Sequence, residues 1–253
     1  MTDHPIIFSA PMVQALLAGR KTQTRRLLTK RNSHFDGGKW PNYLSEASFH
    51  WDRAWVDEGP SPAGNPGPYL KLPVDHLDEE LINRVYAAVW PGDRLWVRES
   101  YQQWPPENLR AEADRPRLYR ATDPEPPAMD IPSFAHHWQG KFRWRPSIHM
   151  PRWASRLTLT VTEVRLQRLQ DISEADAREE GVDRQSRKVR QMWLFGADKA
   201  ERDRIFLHAC KWEFEDLWNS LHGPEAWDAN PWVVALTFTV AHGNIDQIGG
   251  ANG

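Results

Sequence analysis

Apolar and polar positions along this chain predict a mixed set of strands and helices. Ile6-Ile7-Phe8 lies in a short apolar run over residues 5–8 that reads as a strand, and residues 11–18, from Met12 to Ala18, read as a short helix. Residues 22–28 read as a second strand of unusual character. Thr22, Thr24 and Arg26 alternate there with Gln23, Arg25 and Leu27, so neither face is apolar in the ordinary way. A polar strand next to a helix end lines a pocket or lies at a sheet edge.

Residues 30–75 differ in kind. Gly and Pro are frequent, from Gly37-Gly38 to Pro73, with Trp40, Trp51 and Trp55 between them. This predicts an irregular but packed insertion with little regular structure, followed by a short helix within 75–89. Pro91-Gly92-Asp93 is a turn signal feeding a strand at Arg94–Glu99, where Leu95 and Val97 alternate with Arg94, Trp96 and Arg98. Two polar, Pro-rich stretches, 102–116 and 122–140, flank a short strand at 117–121. At 141–145, Phe142 and Trp144 oppose Lys141, Arg143 and Arg145. The longest strand pattern is 156–168, whose phase changes near Glu163, as a bulge or bend would cause. Ser173 is a predicted N-cap, with Asp176 at the third helical position, for a helix ending at Gly181. After a highly charged stretch (183–204), 205–221 carries Phe206, Ala209, Trp212 or Glu213, Phe214, Leu217 and Trp218 at helical spacing. Trp232–Val240 is a terminal strand, and the Gly-rich residues 242–253 are expected to be a disordered tail. The expected organisation is one domain, 1–241, with insertions at about 30–90 and 101–140.

Composition narrows the class. The chain has 253 residues, 40% of them apolar, enough for one large domain with a core. No apolar run reaches the roughly 20 residues that span a bilayer, and no secretion signal is evident, so a soluble, cytoplasmic protein without a membrane partner is expected. The single cysteine, Cys210, excludes an intramolecular disulfide and a thiolate zinc site; within the predicted 205–221 helix it reads as a buried structural thiol. Net charge is −2, but unevenly spread: residues 1–31 carry +5, 141–168 carry +6 and 46–80 carry −6. The two basic stretches would form a positive face if they met.

The densest chemistry lies in Gly19-Arg20-Lys21-Thr22-Gln23-Thr24-Arg25-Arg26. It offers an amine able to act as a base, two hydroxyls and further cations. Lys21 and Thr24, three apart, would face opposite sides of a regular strand. They converge only if Lys21 lies on the turn that Gly19 opens, a usual place for Gly past a helix end. The other reading is a solvated basic turn.

The run Ala18-Gly19-Arg20-Lys21-Thr22-Gln23-Thr24-Arg25, within the stretch that ends at Arg26, resembles the GxKxxTxR signature of the ASCH domain, a PUA-like β-barrel family. Pro91–Glu99, Pro146–Trp153, Leu169–Ala177 and Asn230-Pro231-Trp232-Val233 resemble parts of the longer ASCH proteins of phages and prophages. The resemblance implies an α+β fold, a mixed PUA-like barrel with flanking helices and long irregular insertions. Small ASCH proteins include amidohydrolases that remove the acyl group of N4-acetylcytidine with a Lys, a Thr and a Glu. The matching positions are Lys21 as base, Thr24 as nucleophile and Glu180 as acid or orienter, with Glu179, Glu174 and Glu99 open as alternatives for the acid. A Thr hydroxyl needs such a base, and a lysine serves only if burial or neighbouring cations such as Arg20 and Arg25 lower its pKa. This mechanism requires no metal or organic cofactor, and its partner is a nucleoside or nucleotide. The rival is a module that holds RNA or DNA in the same basic cleft without catalysis.

Candidate ligand contacts come from the basic and aromatic segments. Fourteen Trp are present, and Trp rings stack on nucleobases as well as filling cores. Trp96, Arg98 and Trp144 are candidates on predicted strands, and Glu99 stands either as a second acid or as an ion-pair partner. In Arg145–Arg152, prolines frame Ser147 and His149, suited to hydrogen-bond a base or sugar, and Arg152, suited to a phosphate. His149 lacks an acid to orient it as a triad member, and His136-His137 lacks a third ligand, so no metal site is expected.

Overall fold

A computed structural model describes residues 1–30, 33–35, 40, 49–59, 67–76, 79–103, 117–123, 143–182 and 198–248. The architecture is α+β: several sheets, few helices, and no closed barrel among the described strands. In chain order the elements are β1 (Asp3–Ile7), α1 (Ala10–Leu17), β2 (Gln23–Leu27), β3 (Ser33–Phe35), β4 (Trp55–Asp57), β5 (Tyr69–His76), β6 (Glu79–Ala87), β7 (Arg94–Arg98), β8 (Tyr101–Gln103) and β9 (Arg117–Tyr119). They continue with β10 (Leu157–Arg168), α2 (Glu174–Glu179), α3 (Lys199–His222), β11 (Trp232–His242) and α4 (Ile245–Ile248). Two compact units result, the first from residues 1–19, 94–160 and 239–253, the second from 20–93 and 161–238.

In the first unit β7 lies between β1, which runs parallel to it, and the start of β10, which runs antiparallel. The Asp3↔Arg94 register brings a bidentate ion pair, 2.8 Å at both contacts, onto one end of the parallel pair. The alternation anticipated for β7 holds: Leu95 and Val97 are buried and Arg94, Trp96 and Arg98 half-buried. β8 and β9 form a two-stranded ladder over a small core of Tyr101, Tyr119, Met150 and Ala154.

The second unit holds the larger core. α3 presents Phe206, Cys210, Phe214 and Trp218, four residues apart, to Leu169, Ile172, Ala177, Trp227 and Val233. That i, i+4 stripe is one face of a helix, and it explains why the helix forms. Asp198 caps it by accepting from the Glu201 N–H at 2.9 Å. Trp212, one of the two residues expected on the stripe at that turn, instead lies about half a turn from it; it is exposed, with its ring tilted against that of His208. β11 pairs antiparallel with β2, placing Leu236 opposite Thr24 and Ala235 opposite Arg25.

Three expectations are corrected. The Gly- and Pro-rich insertion contains a four-stranded antiparallel sheet, ordered β3-β6-β5-β4, with Leu70, Leu72, Val74 and Val85 fully buried. The helix expected within 75–89 is therefore strand β6. Pro73 disguises β5, but its carbonyl accepts from His50 N–H, beyond the end of β4. A strand residue's N–H and C=O point to the same side, so the missing N–H faces away from β6 and the β5–β6 ladder continues past it. The tail, expected to be disordered, is ordered through Ile248: Ile245 is buried, and Asn244 donates to the carbonyls of Arg152 and Ser155. Along β10 the buried positions change phase at the anticipated place, with Thr162 and Glu163 exposed between Val161 and Val164. Phe142 and His136-His137 lie outside the described residues.

Candidate active site

The chain leaves α1 through Gly19, whose φ of 67° is the left-handed conformation that glycine adopts without strain. It then meets the end of α2. Lys21 and Glu180 form an isolated antiparallel bridge, and the Thr22 N–H donates to the Glu179 carbonyl at 2.9 Å. On the other side the Thr22 carbonyl accepts from Phe238 N–H, also at 2.9 Å. The backbone at 21–22 is thus pinned from both sides before β2 begins. α2 is positioned by its predicted cap, Ser173 Oγ accepting from Asp176 N–H at 3.0 Å, and is closed after Glu180 by Gly181 at φ 95°.

Two short segments therefore converge, and their side chains form one network. Lys21, 2% exposed, donates from Nζ to Glu180 Oε2 at 2.8 Å and to the Glu180 carbonyl at 2.8 Å. The other carboxylate oxygen of Glu180 accepts from Arg25 at 3.0 Å. Arg25 continues to Asp176 at 3.1 Å, and Arg165 on β10 grips the same carboxylate with two contacts of 3.2 Å. Gln23 completes the set. Its amide nitrogen donates to Asp176 and Glu179 at 2.9 and 2.7 Å, and its amide oxygen accepts from Arg25 and Arg165, both at 3.3 Å. Two carboxylates on one end and two guanidiniums on the other leave that amide a single orientation.

Gln23 and Arg25 share a face of β2, so Thr24 and Arg26 point to the opposite one. Thr24 is buried, and among the described residues no hydrogen bond of its hydroxyl is present. Arg26 is electrostatically coupled to Lys21 and Glu180. The Lys21–Glu180 pair interacts with Arg25 and Arg26, cations on opposite faces of β2.

Burial holds the Lys21 ammonium below its ordinary pKa; Glu180 opposes that shift through charge and hydrogen bond, while Arg26 and Arg25 reinforce it. For Asp176, burial raises the pKa, but hydrogen bonds from Arg165 and Gln23 and the charges of Arg165 and Arg25 outweigh it, leaving the carboxyl below its usual range. Burial lowers Arg26 as well, against Glu180.

Arg20 is exposed and donates to the Gly181 carbonyl at 3.1 Å. Glu174 is paired with His208 at 3.0 Å on α3, away from the Lys21 amine's partner. The remaining candidates belong to the first unit. Glu99, 1% exposed, is clamped by Arg156 at 2.8 and 3.0 Å, an ion pair. Arg152, expected to meet a phosphate, pairs with Asp3 and Asp246. Arg98 stands over Trp96 and donates to the Ile148 carbonyl. Ser147 and His149 sit on a short 3-10 turn, and Trp144, half-buried, precedes it. Sequence reasoning missed Gln23, Arg26, Asp176 and Arg165. Gln23 and Arg26 stood in the polar strand already noticed, whereas Arg165 and Asp176 gave no signal before β10 and α2 were brought together. No family model, curated protein or solved structure matches this chain.

Proposed function

We propose that this chain is an ASCH-type, PUA-like amidohydrolase that removes an N4-acyl group from a cytidine-type nucleoside or nucleotide. One observation carries the reading: a buried lysine with a depressed pKa is hydrogen-bonded to a buried glutamate, three residues from a buried threonine. In the reaction, neutral Lys21 takes the Thr24 proton as the hydroxyl oxygen bonds to the acyl carbon. The carbonyl oxygen becomes an oxyanion, which Arg26, on the same strand face as Thr24, stabilises. Collapse of the intermediate breaks the C–N bond, and the leaving N4 amine takes the proton that Lys21 now carries, with Glu180 orienting the ammonium. A water then cleaves the acyl–Thr24 ester by the reverse use of Lys21. The products are the free acid and the cytidine-type amine. Asp176, Gln23 and Arg165 hold Arg25 and the Glu180 carboxylate in place.

The test is hydrolysis of N4-acetylcytidine, followed by absorbance, for the native chain and for Lys21→Ala and Thr24→Ala. Conversion to cytidine that both substitutions abolish supports the reading. A panel of acylated cytidines and deoxycytidines left intact by the native chain overturns it.

A further inference from the structure

The second unit carries a cluster of aromatic rings that the proposed hydrolysis does not use, with a cation standing against it. Phe35, on β3, and Phe49 are buried, and Trp40 and Trp51 beside them are half-buried. Trp40 and Phe49 form a corner: their ring centres are 5.4 Å apart and their planes are 73° from parallel. Phe35 lies 4.9 and 6.3 Å from the two, and Trp51 lies 6.0 Å from Trp40.

Backbone and side-chain bonds hold these rings in place. Phe49 is bridged to Val74 of β5, and Phe35 is paired with Val85 of β6. Trp40 Nε1 donates to Ser33 Oγ at 3.2 Å, and that hydroxyl donates to the Thr29 carbonyl at 2.6 Å. The Trp51 carbonyl accepts from Arg168 and from the Trp232 indole, at 2.7 and 2.9 Å.

Lys30, an exposed residue, sets its ammonium against both walls of the corner, 5.8 Å from the Trp40 ring centre and 5.3 Å from that of Phe49. The negative face of an aromatic ring attracts a cation. The distances point to a larger cation than the one present. Non-bonded carbon atoms in contact stand about 3.5–4.0 Å apart, so this nitrogen stops roughly 1–2 Å short of either ring. A methyl group on it, at a bond of about 1.5 Å, would bring carbon to about 3.8 Å from the Phe49 centre and about 4.3 Å from the Trp40 centre. The gap is the size of a methyl group. A primary ammonium is also strongly hydrated, whereas a methylated one presents apolar surface to apolar walls.

We infer that this corner binds a methylated ammonium group, whose place the Lys30 side chain takes. The stretch 46–80, which supplies Phe49 and Trp51, carries a net charge of −6, and its field favours a cation over an anion. The inference does not depend on the hydrolase reading, because it uses none of Lys21, Thr24 or Glu180.

Isothermal titration calorimetry of the native chain with choline tests it, beside the neutral alcohol in which carbon replaces choline's nitrogen. A short peptide carrying a trimethylated lysine, and its unmodified twin, form the second arm. The native chain is expected to bind choline saturably and the neutral alcohol about tenfold or more weakly, since the two share a shape and differ in charge. Lys30→Ala removes the competing ammonium and is expected to tighten choline binding about 2- to 5-fold. Trp40→Leu and Phe49→Leu, which keep an apolar side chain but remove the ring, are each expected to weaken it about 2- to 30-fold. Thermal melting of each variant confirms folding. The tighter of choline and the trimethylated peptide tells whether the group comes free or on a protein. The proposal is overturned if neither the native chain nor Lys30→Ala binds either probe. Equal binding of the neutral alcohol overturns it too, as does affinity indifferent to Trp40→Leu and Phe49→Leu, or weakened by Lys30→Ala.

Discussion

Lys21 holds Glu180 at two points, the side-chain carboxylate and the backbone carbonyl, each 2.8 Å from the same ammonium nitrogen. The two contacts tie β2's entry to α2's exit. The two halves of the pair are unequal in what each keeps when the other is lost, because Glu180 is also bonded to a second cation, Arg25, at 3.0 Å.

Stability should reflect that inequality. Glu180→Gln leaves a buried ammonium facing a neutral amide with Arg25 also unpaired on that side, and is expected to destabilise by about 3–5 kcal/mol. Lys21→Met leaves Glu180 still bonded to Arg25 and should lose less. Urea unfolding of both variants measures the order, and Lys21→Met proving the more damaging would contradict this account of the pair.

Acid should loosen the network through Asp176. Its folded pKa lies below the ordinary value near 3.8, so its stabilisation is fully present above that value and is lost as pH falls through the folded pKa. The native chain's urea midpoint should therefore drop below about pH 4, and Asp176→Asn should show a lower midpoint at pH 7 with a flatter acid limb. Parallel curves for the two proteins would mean that Asp176 contributes no pH dependence.

Thr24 separates a nucleophile from a packing residue. Thr24→Ser keeps the hydroxyl and is expected to stay within about tenfold of the native kcat on N4-acetylcytidine, whereas Thr24→Val, similar in shape, should lose about 10²–10⁴-fold or more. Both should melt within a few degrees of the native chain. Valine and serine variants with equal turnover would remove Thr24 from the chemistry.

The α3 stripe predicts a contrast between two tryptophans six residues apart. Trp218, 3% exposed among Phe214, Trp227 and Ala177, should lose about 3–5 kcal/mol on substitution by Ala. Trp212, 49% exposed, should stay within about 0.5 kcal/mol. Denaturant midpoints of the two variants decide it.

Much of this arrangement was legible residue by residue. The Ser173 cap, the Gly19 and Gly181 exits, the α3 stripe and the β7 and β10 alternations were readable because each depends on neighbours within a few positions. β5 was not, since Pro73 and the surrounding Gly and Pro mimic a loop until β6 pairs with it. Arg152 and Glu99 looked like ligand contacts because their partners, Asp246 and Arg156, lie far along the chain.

The sequence by itself determined the places of β1, α1, β2, β7, β10, α2, α3 and β11, that no apolar run reaches the length that spans a bilayer, and that Lys21, Thr24 and Glu180 deserved attention. Only the tertiary structure decided which charges neutralise one another. Periodicity is a property of adjacent residues, whereas the pairing of Lys21 with Glu180, 159 positions apart, and of Arg165 with Asp176 depends on the path that the intervening chain takes. The same limit holds in the first unit, where composition counts all arginines alike and only their neighbours in space match Arg94, Arg152 and Arg156 to carboxylates.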